Sequence, residues 1–162
     1  MDNTMLAQAV RFTEKEIETS LYQLDSNSQF LVNRLVYYPY YYFNYTVQAK
    51  RLFLPVKEEV GCTIDGISGK GSLIDCKPKL THVELPYHVQ LPLKQSLEDC
   101  QTKSESFIYH AIALKMRMLS LSELKLKQKQ FFYRPYWIVN SKDRKAADFI
   151  VDAISGQYHP LS

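Results

Sequence analysis

Two aspartates stand in nearly the same local sequence. Asp65 lies in Ile64-Asp65-Gly66-Ile67-Ser68-Gly69, and Asp152 lies in Val151-Asp152-Ala153-Ile154-Ser155-Gly156. Equivalent carboxylates in a duplicated chain could face one another and split their pKa values, as a general acid and a general base do. The competing reading is structural. An Asp at a strand end accepts hydrogen bonds from the amides of its own turn, and a Gly a few residues later supplies the positive φ. The residue types favour the turn. Asp65, Gly69, Asp152 and Gly156 are therefore expected to be structural, and no catalytic residue is assigned.

Other chemistry-bearing groups are weaker. The run Gly66 to Ser72 has a Gly-Lys pair at Gly69-Lys70, but Gly71 stands where a phosphate loop needs Ser or Thr, and Ile64 where it needs its first Gly. A hairpin turn is the expectation. Cys62, Cys76, His82, His88 and Cys100 carry zinc-type ligands without a close pair, so neither metal nor cofactor is expected. Three cysteines are an odd count and argue against a disulfide framework.

Lys125, Lys127 and Lys129 alternate next to Phe131, Phe132 and Tyr133. Charge for phosphate and rings for bases are what a single-stranded nucleic acid needs. Alternating lysine is equally the guard that keeps an edge strand from pairing with another sheet. The tyrosines are denser still, at positions 37, 38, 40, 41, 42 and 45. Strand alternation admits only half of them to one core, and tyrosine on the other face offers large contact area at low entropy cost. Tyr38, Tyr40 and Tyr42, with Tyr136 and Trp137 from the matching motif, are the candidate binding residues. The same rings would also serve an interface between the two halves or in a homo-oligomer.

The elements that must position these groups are themselves duplicated. Tyr37-Tyr38-Pro39-Tyr40-Tyr41 precedes the first aspartate, and Tyr133-Arg134-Pro135-Tyr136-Trp137 precedes the second. Two matched motifs in one order signal a repeated unit. The expected fold is α+β, with two pseudo-symmetric helix-strand-strand repeats whose helices pack on antiparallel sheet. Repeat 1 spans 1–80, a Pro-containing linker spans 81–103, repeat 2 spans 104–162, and the two pack as a single globular unit. Apolar spacing at Leu6, Val10, Ile17, Leu21 and Leu24 predicts helix over 3–24, either one helix or two with Thr13 and Glu16 as a capping box that restarts it, and 25–28 as the turn ending it. In the second copy Phe107, Ala111, Leu114 and Met118 mark the helical face. Residues 55–60 read as a polar connector.

The chain has 162 residues, 46% hydrophobic and 23% charged, which excludes a disordered class. Its net charge of +3 permits nucleic acid or an acidic partner without pointing to either. Residues 1–10 lack the basic start and apolar stretch of an export signal, and no run is long enough for a membrane span. A cytoplasmic protein without membrane association is the expectation.

The strand bearing a Tyr or Trp cluster, followed by a strand ending Val-Asp-Ala-x-x-Gly, resembles the PepSY-like domains. The matching residues are Tyr136, Trp137, Val139, Val151, Asp152, Ala153 and Gly156, and in the first copy Tyr40, Tyr41, Phe43, Ile64, Asp65, Gly66 and Gly69. The resemblance implies a small α+β module without catalytic residues, of the kind found in peptidase propeptides and regulatory parts of envelope proteins. The expected function is a non-catalytic binding or regulatory protein engaging a peptide or protein through an aromatic sheet face. A nucleic-acid-binding module using strand 125–129 is the first alternative, and a small hydrolase with an unlocated site is the second.

Overall fold

The computed structural model describes residues 4–24, 26, 30–50, 55–115, 120–142 and 148–160. Eight strands and two α-helices follow in the order β1 (Thr4–Ala7), α1 (Glu14–Leu24), β2 (Phe30–Lys50), β3 (Pro55–Asp65), β4 (Gly71–Ile74), β5 (Thr81–Glu84), α2 (Leu97–Lys115), β6 (Ser120–Ser141), β7 (Phe149–Asp152) and β8 (Tyr158–Pro160). The strands form a sheet with the path β4-β3-β2-β6-β1-β5, and β7 joins β6 to β8. It is mixed: β1 meets β6 in parallel at Ala7 and Tyr133, whereas β2–β3, β3–β4, β6–β7 and β7–β8 are antiparallel.

The expected architecture of two pseudo-symmetric helix-strand-strand repeats whose helices pack on antiparallel sheet is overturned. The structure is mostly one large mixed sheet with two helices, and its compact units do not follow the halves of the sequence. The first unit comprises Met1–Tyr38, Lys79–Leu91 and Tyr133–Ser162; the second comprises Pro39–Pro78 and Pro92–Phe132. Both long strands change unit, β2 at Tyr38 to Pro39 and β6 at Phe132 to Tyr133, two residues before Pro135. A strand of this length cannot serve one small core from end to end, so each half of the chain contributes to both units.

In the second unit, alternation along β2 sends Tyr41, Phe43, Tyr45 and Val47 to one face, where Cys62 and Ile64 of β3 join them beneath α2. The buried stripe of α2 is Cys100, Ser104, Ile108 and Ile112, each four residues after the last. This differs from the face expected at 107, 111 and 114. Leu114 is exposed, and Phe107 lies partly buried with its ring against Gly71. Met118 lies outside the described residues. Ser104 obscures the stripe because it is polar, yet its hydroxyl is satisfied by the Gln101 carbonyl at 2.6 Å and the Tyr45 hydroxyl at 2.5 Å.

In the first unit, Ile17 and Leu21 of α1 pack with Val32, Val139 and Val151. Of the helix expected over 3–24, in one piece or two, only the part from Glu14 to Leu24 is helical. Residues 4–7 pair with β5 instead, and α1 starts at the capping box, where the Glu16 amide donates to Thr13 Oγ1 at 3.3 Å and the Thr13 amide to Glu16 Oε1 at 3.3 Å. The turn expected at 25–28 falls mostly outside the described residues. Residues 55–60, read as a connector, extend β3, whose ladder with β2 continues to Lys50 and Pro55. The Pro-rich stretch contains β5, a 3-10 turn at Tyr87–Val89 and the start of α2, and Leu85 within it is fully buried.

Candidate functional site

The two aspartates occupy the same turn in different units. Asp65 Oδ1 accepts from the amides of Ile67 at 2.8 Å and Ser68 at 2.9 Å. Asp152 Oδ1 accepts from Ile154 at 2.8 Å and Ser155 at 3.2 Å. The Gly69 amide donates to the Asp65 carbonyl at 2.8 Å, and Gly156 to that of Asp152 at 2.9 Å. Both glycines have positive φ, 79° and 78°. The next residue in each turn also anchors a helix entry. The Gly66 carbonyl accepts from Lys94 and Gln95 just before α2, and the Ala153 carbonyl from Arg11 and Phe12 just before α1. These contacts position backbone, and they occupy the carboxylates with structural work.

Cys62 and Cys100 are buried in the core of the second unit, while Cys76 is exposed; all three are free thiols. Burial pushes the Cys62 thiol up to about 12 and raises that of Cys100, which Lys103 partly offsets. Thiols held in their neutral form are poor nucleophiles. Among the described residues no group of three His, Cys, Asp or Glu is placed to hold a metal ion. No helix among them is long and apolar enough to cross a membrane.

The candidate aromatic residues divide between the units. In the first, Tyr38 is half-buried with its ring tilted against the buried Tyr136 at 5.6 Å, and Trp137 donates its Nε1 proton to the Phe12 carbonyl at 2.8 Å. In the second, Tyr40 stacks on Phe132 at 5.8 Å, and Tyr42 is only 2% exposed. Tyr38, Tyr136 and Trp137 therefore hold the fold of one unit, while Tyr40 and Tyr42 lie on the helix-free sheet face of the other.

That face has a groove of about 510 Å³. Asn44 and Tyr42 of β2, Gly61 of β3, Ile74 of β4 and Lys127 of β6 line it. The groove follows from strand register. Asn44 pairs with Gly61, which pairs with Ile74, so a residue without a side chain sits between an amide and an aliphatic chain. A Cβ at Gly61 would lie 3.4 Å from Tyr42 Cε2 and 3.4 Å from the Ile74 carbonyl, so the tyrosine ring leans over the bare backbone. Lys127 and Glu59 form an exposed ion pair beside it.

One group here is incompletely satisfied. Asn44 Nδ2 donates to the Tyr42 hydroxyl at 3.0 Å, but Asn44 Oδ1 is buried with no hydrogen-bond partner among the described residues. An orphaned buried acceptor costs about 1–3 kcal/mol and calls for an explanation. Neither Asn44 nor Gly61 carries a motif in the sequence. The available signal was a glycine inside a strand, which often marks the close approach of a ligand or another backbone.

The lysines at 125, 127 and 129 are exposed, with Leu124 and Leu126 turned to the core between them. Their aromatic neighbours are not bare: Phe132 and Tyr133 are buried, and Phe131 packs on the core. Comparison with protein families, curated proteins and solved structures returns no match.

Proposed function

We propose that this protein is a non-catalytic binding or regulatory protein that engages a peptide or protein segment on the helix-free sheet face of its second unit. The observation that carries this reading is the groove of about 510 Å³ over Gly61, a volume within the range of ligand sites. Ile74 supplies an aliphatic wall, and the ring of Tyr42, only 2% exposed, packs over Gly61. The resemblance to PepSY-like modules, which are small and regulatory, points the same way.

Nucleic-acid binding is less well supported. Among the described residues its lysine column lacks exposed rings for base stacking, and Lys127 is engaged by Glu59. A test is selection of linear peptides from a displayed random library on the immobilised protein, followed by mapping of backbone amide shifts. Saturable shifts at Gly61, Asn44 and Ile74 are expected. Shifts confined to other residues would refute the reading.

A further inference from the structure

We infer that the first unit binds a small uncharged aromatic molecule in a cleft between α1 and the β7–β8 hairpin. This cleft shares no residue with the groove of the second unit. It measures about 160 Å³. The buried Ile17, Leu21 and Val151 form its floor, and Phe12, Phe149 and Tyr158 bring three rings to its walls. It opens to solvent at Ser20, Gly156 and Tyr158, which are exposed.

The second unit shows what closes such a cleft. The two helices begin at matching caps. The Thr13 carbonyl accepts from the Ile17 amide at 3.0 Å, and the Ser96 carbonyl from the Cys100 amide at 2.9 Å. The Thr13 hydroxyl accepts from the Glu16 amide at 3.3 Å, and the Ser96 hydroxyl from the Asp99 amide at 3.1 Å. Counting from these caps matches Ser20 with Lys103 and Leu24 with Phe107. The two Asp turns likewise match Gly156 with Gly69 and Tyr158 with Gly71. In the second unit Lys103 and Phe107 lie over their glycines. A Cβ at Gly69 would meet Lys103 Cδ at 3.2 Å, and one at Gly71 would meet the Phe107 ring at 2.8 Å. In the first unit Ser20 is too short to do this, and Leu24 is 75% exposed. Among the described residues a Cβ at Gly156 would meet Phe12 alone, at 3.5 Å. Tyr158 does not fill the gap, because its ring stands edge-on to Phe149 at 5.8 Å and is 65% exposed.

The occupant follows from what is missing and from what lines the space. The chain seals the matching seam of its other unit with an aliphatic stem and an aromatic ring of its own. An apolar cavity of about 150 Å³ holds benzene, so the cleft admits a single ring of that size. Such a ring can stack on Phe12, Phe149 or Tyr158 or meet their edges, which adds to the gain from burial alone. Apart from the Tyr158 phenol no acid or base lines the cleft among the described residues, so a charged ligand would lose its water without gaining a partner. The Ser20 and Tyr158 hydroxyls at the mouth can serve one polar substituent on the ring.

The experiment titrates the full chain with benzyl alcohol, cyclohexylmethanol, benzoate and N-acetylphenylalanine amide. NMR follows the methyl groups of Ile17, Leu21 and Val151 and the Gly156 amide. Benzyl alcohol is expected to shift these signals saturably, with half-saturation below about 5 mM, as suits a ligand of so few atoms. Cyclohexylmethanol, apolar but not aromatic, should bind at least about threefold more weakly. Benzoate should bind at least about tenfold more weakly. Ser20→Lys brings the counterpart of Lys103 into the cleft and should weaken benzyl alcohol at least about tenfold, since a filled site has no room for a ring. Thr19→Lys places the same charge one position along, on another face of α1, and should bind within about twofold of the parent. Both positions are exposed, and an unchanged melting temperature confirms that each variant is folded. The order of the probes on the unaltered protein tests the site even if Ser20→Lys folds poorly. Absence of a saturable shift in the cleft up to about 20 mM benzyl alcohol overturns the inference. Cyclohexylmethanol or benzoate binding as tightly as benzyl alcohol overturns it, as does a folded Ser20→Lys that binds like the parent. N-acetylphenylalanine amide binding about tenfold more tightly overturns the assignment to a free molecule, in favour of a partner's phenylalanine side chain.

Discussion

The turns at Asp65 and Asp152 have the same backbone and different surroundings. Each carboxylate uses Oδ1 to hold two amides of its own turn. Asp152 also uses Oδ2 to receive Arg134 through Nε and Nη2, each at 2.8 Å, and it is 7% exposed. Arg134 directly precedes Pro135; the residue preceding Pro39 is Tyr38, in the first unit. Over the Asp65 turn lies α2 instead, where Lys103 Nζ donates to Gln95 and would meet any Cβ added at Gly69. Helix cover differs in parallel: α2 has 19 residues and α1 has 11, and Leu24 near the end of α1 is 75% exposed. The Asp152 turn carries the Arg134 ion pair in the first unit, and the Asp65 turn lies against the longer helix in the second. A turn conserved in geometry therefore need not be conserved in energetics.

The largest effect should come from cutting the chain. Each unit needs strands from both halves, so fragments 1–78 and 79–162 should each lack cooperative unfolding alone and regain it when mixed. Circular dichroism melts of each fragment and of the equimolar mixture decide this. A fragment that melts cooperatively by itself would show that one half of the chain suffices for a folded unit, against the division in which both halves contribute to each.

A smaller effect separates the two turns. Asp152→Ala removes two turn bonds and strands a mostly buried guanidinium, and is expected to cost about 2–4 kcal/mol. Asp65→Ala is expected to cost about 1–2 kcal/mol through its turn bonds. Urea denaturation of the single and double variants measures both. Equal costs would show that the Arg134 pair contributes little.

The smallest effect at ordinary pH concerns the second unit. Burial raises the Cys62 thiol from 9.0 to about 12 and the Tyr45 phenol from 10.0 to about 12, with the Ser104 hydrogen bond opposing the shift of Tyr45. Below pH 9 both groups are protonated whether the chain is folded or not, and their contribution to stability is fully present. Above it the unfolded chain ionises first, so stability falls from about pH 9 and is lost towards pH 12. Cys62→Ala and Tyr45→Phe should flatten this alkaline decline relative to the parent, as read from melting temperatures across that range. An unchanged slope in the double variant would place the titrating group elsewhere.

Much of the local structure was legible in the residues themselves. The Asp turns, the positive-φ glycines, the capping box at Thr13 and Glu16 and the inward alternation of Tyr41, Phe43, Tyr45 and Val47 are all set within a few positions along the chain. Hydrogen bonds from residue i to i+2 or i+3, and the period of a strand, need no knowledge of what lies across the fold.

The helical stripe of α2 was misread because Ser104 is polar, and only its contact with Tyr45, 59 residues away, makes it a core residue. The assignment of each half-strand to its unit was equally hidden. A repeated sequence has the same local preferences whether it folds on itself or exchanges strands with its copy, and packing over long sequence separations decides between them. The groove belongs to the same category. Asn44, Gly61 and Ile74 are unremarkable in the chain, and they line one groove only because β2, β3 and β4 pair in one register.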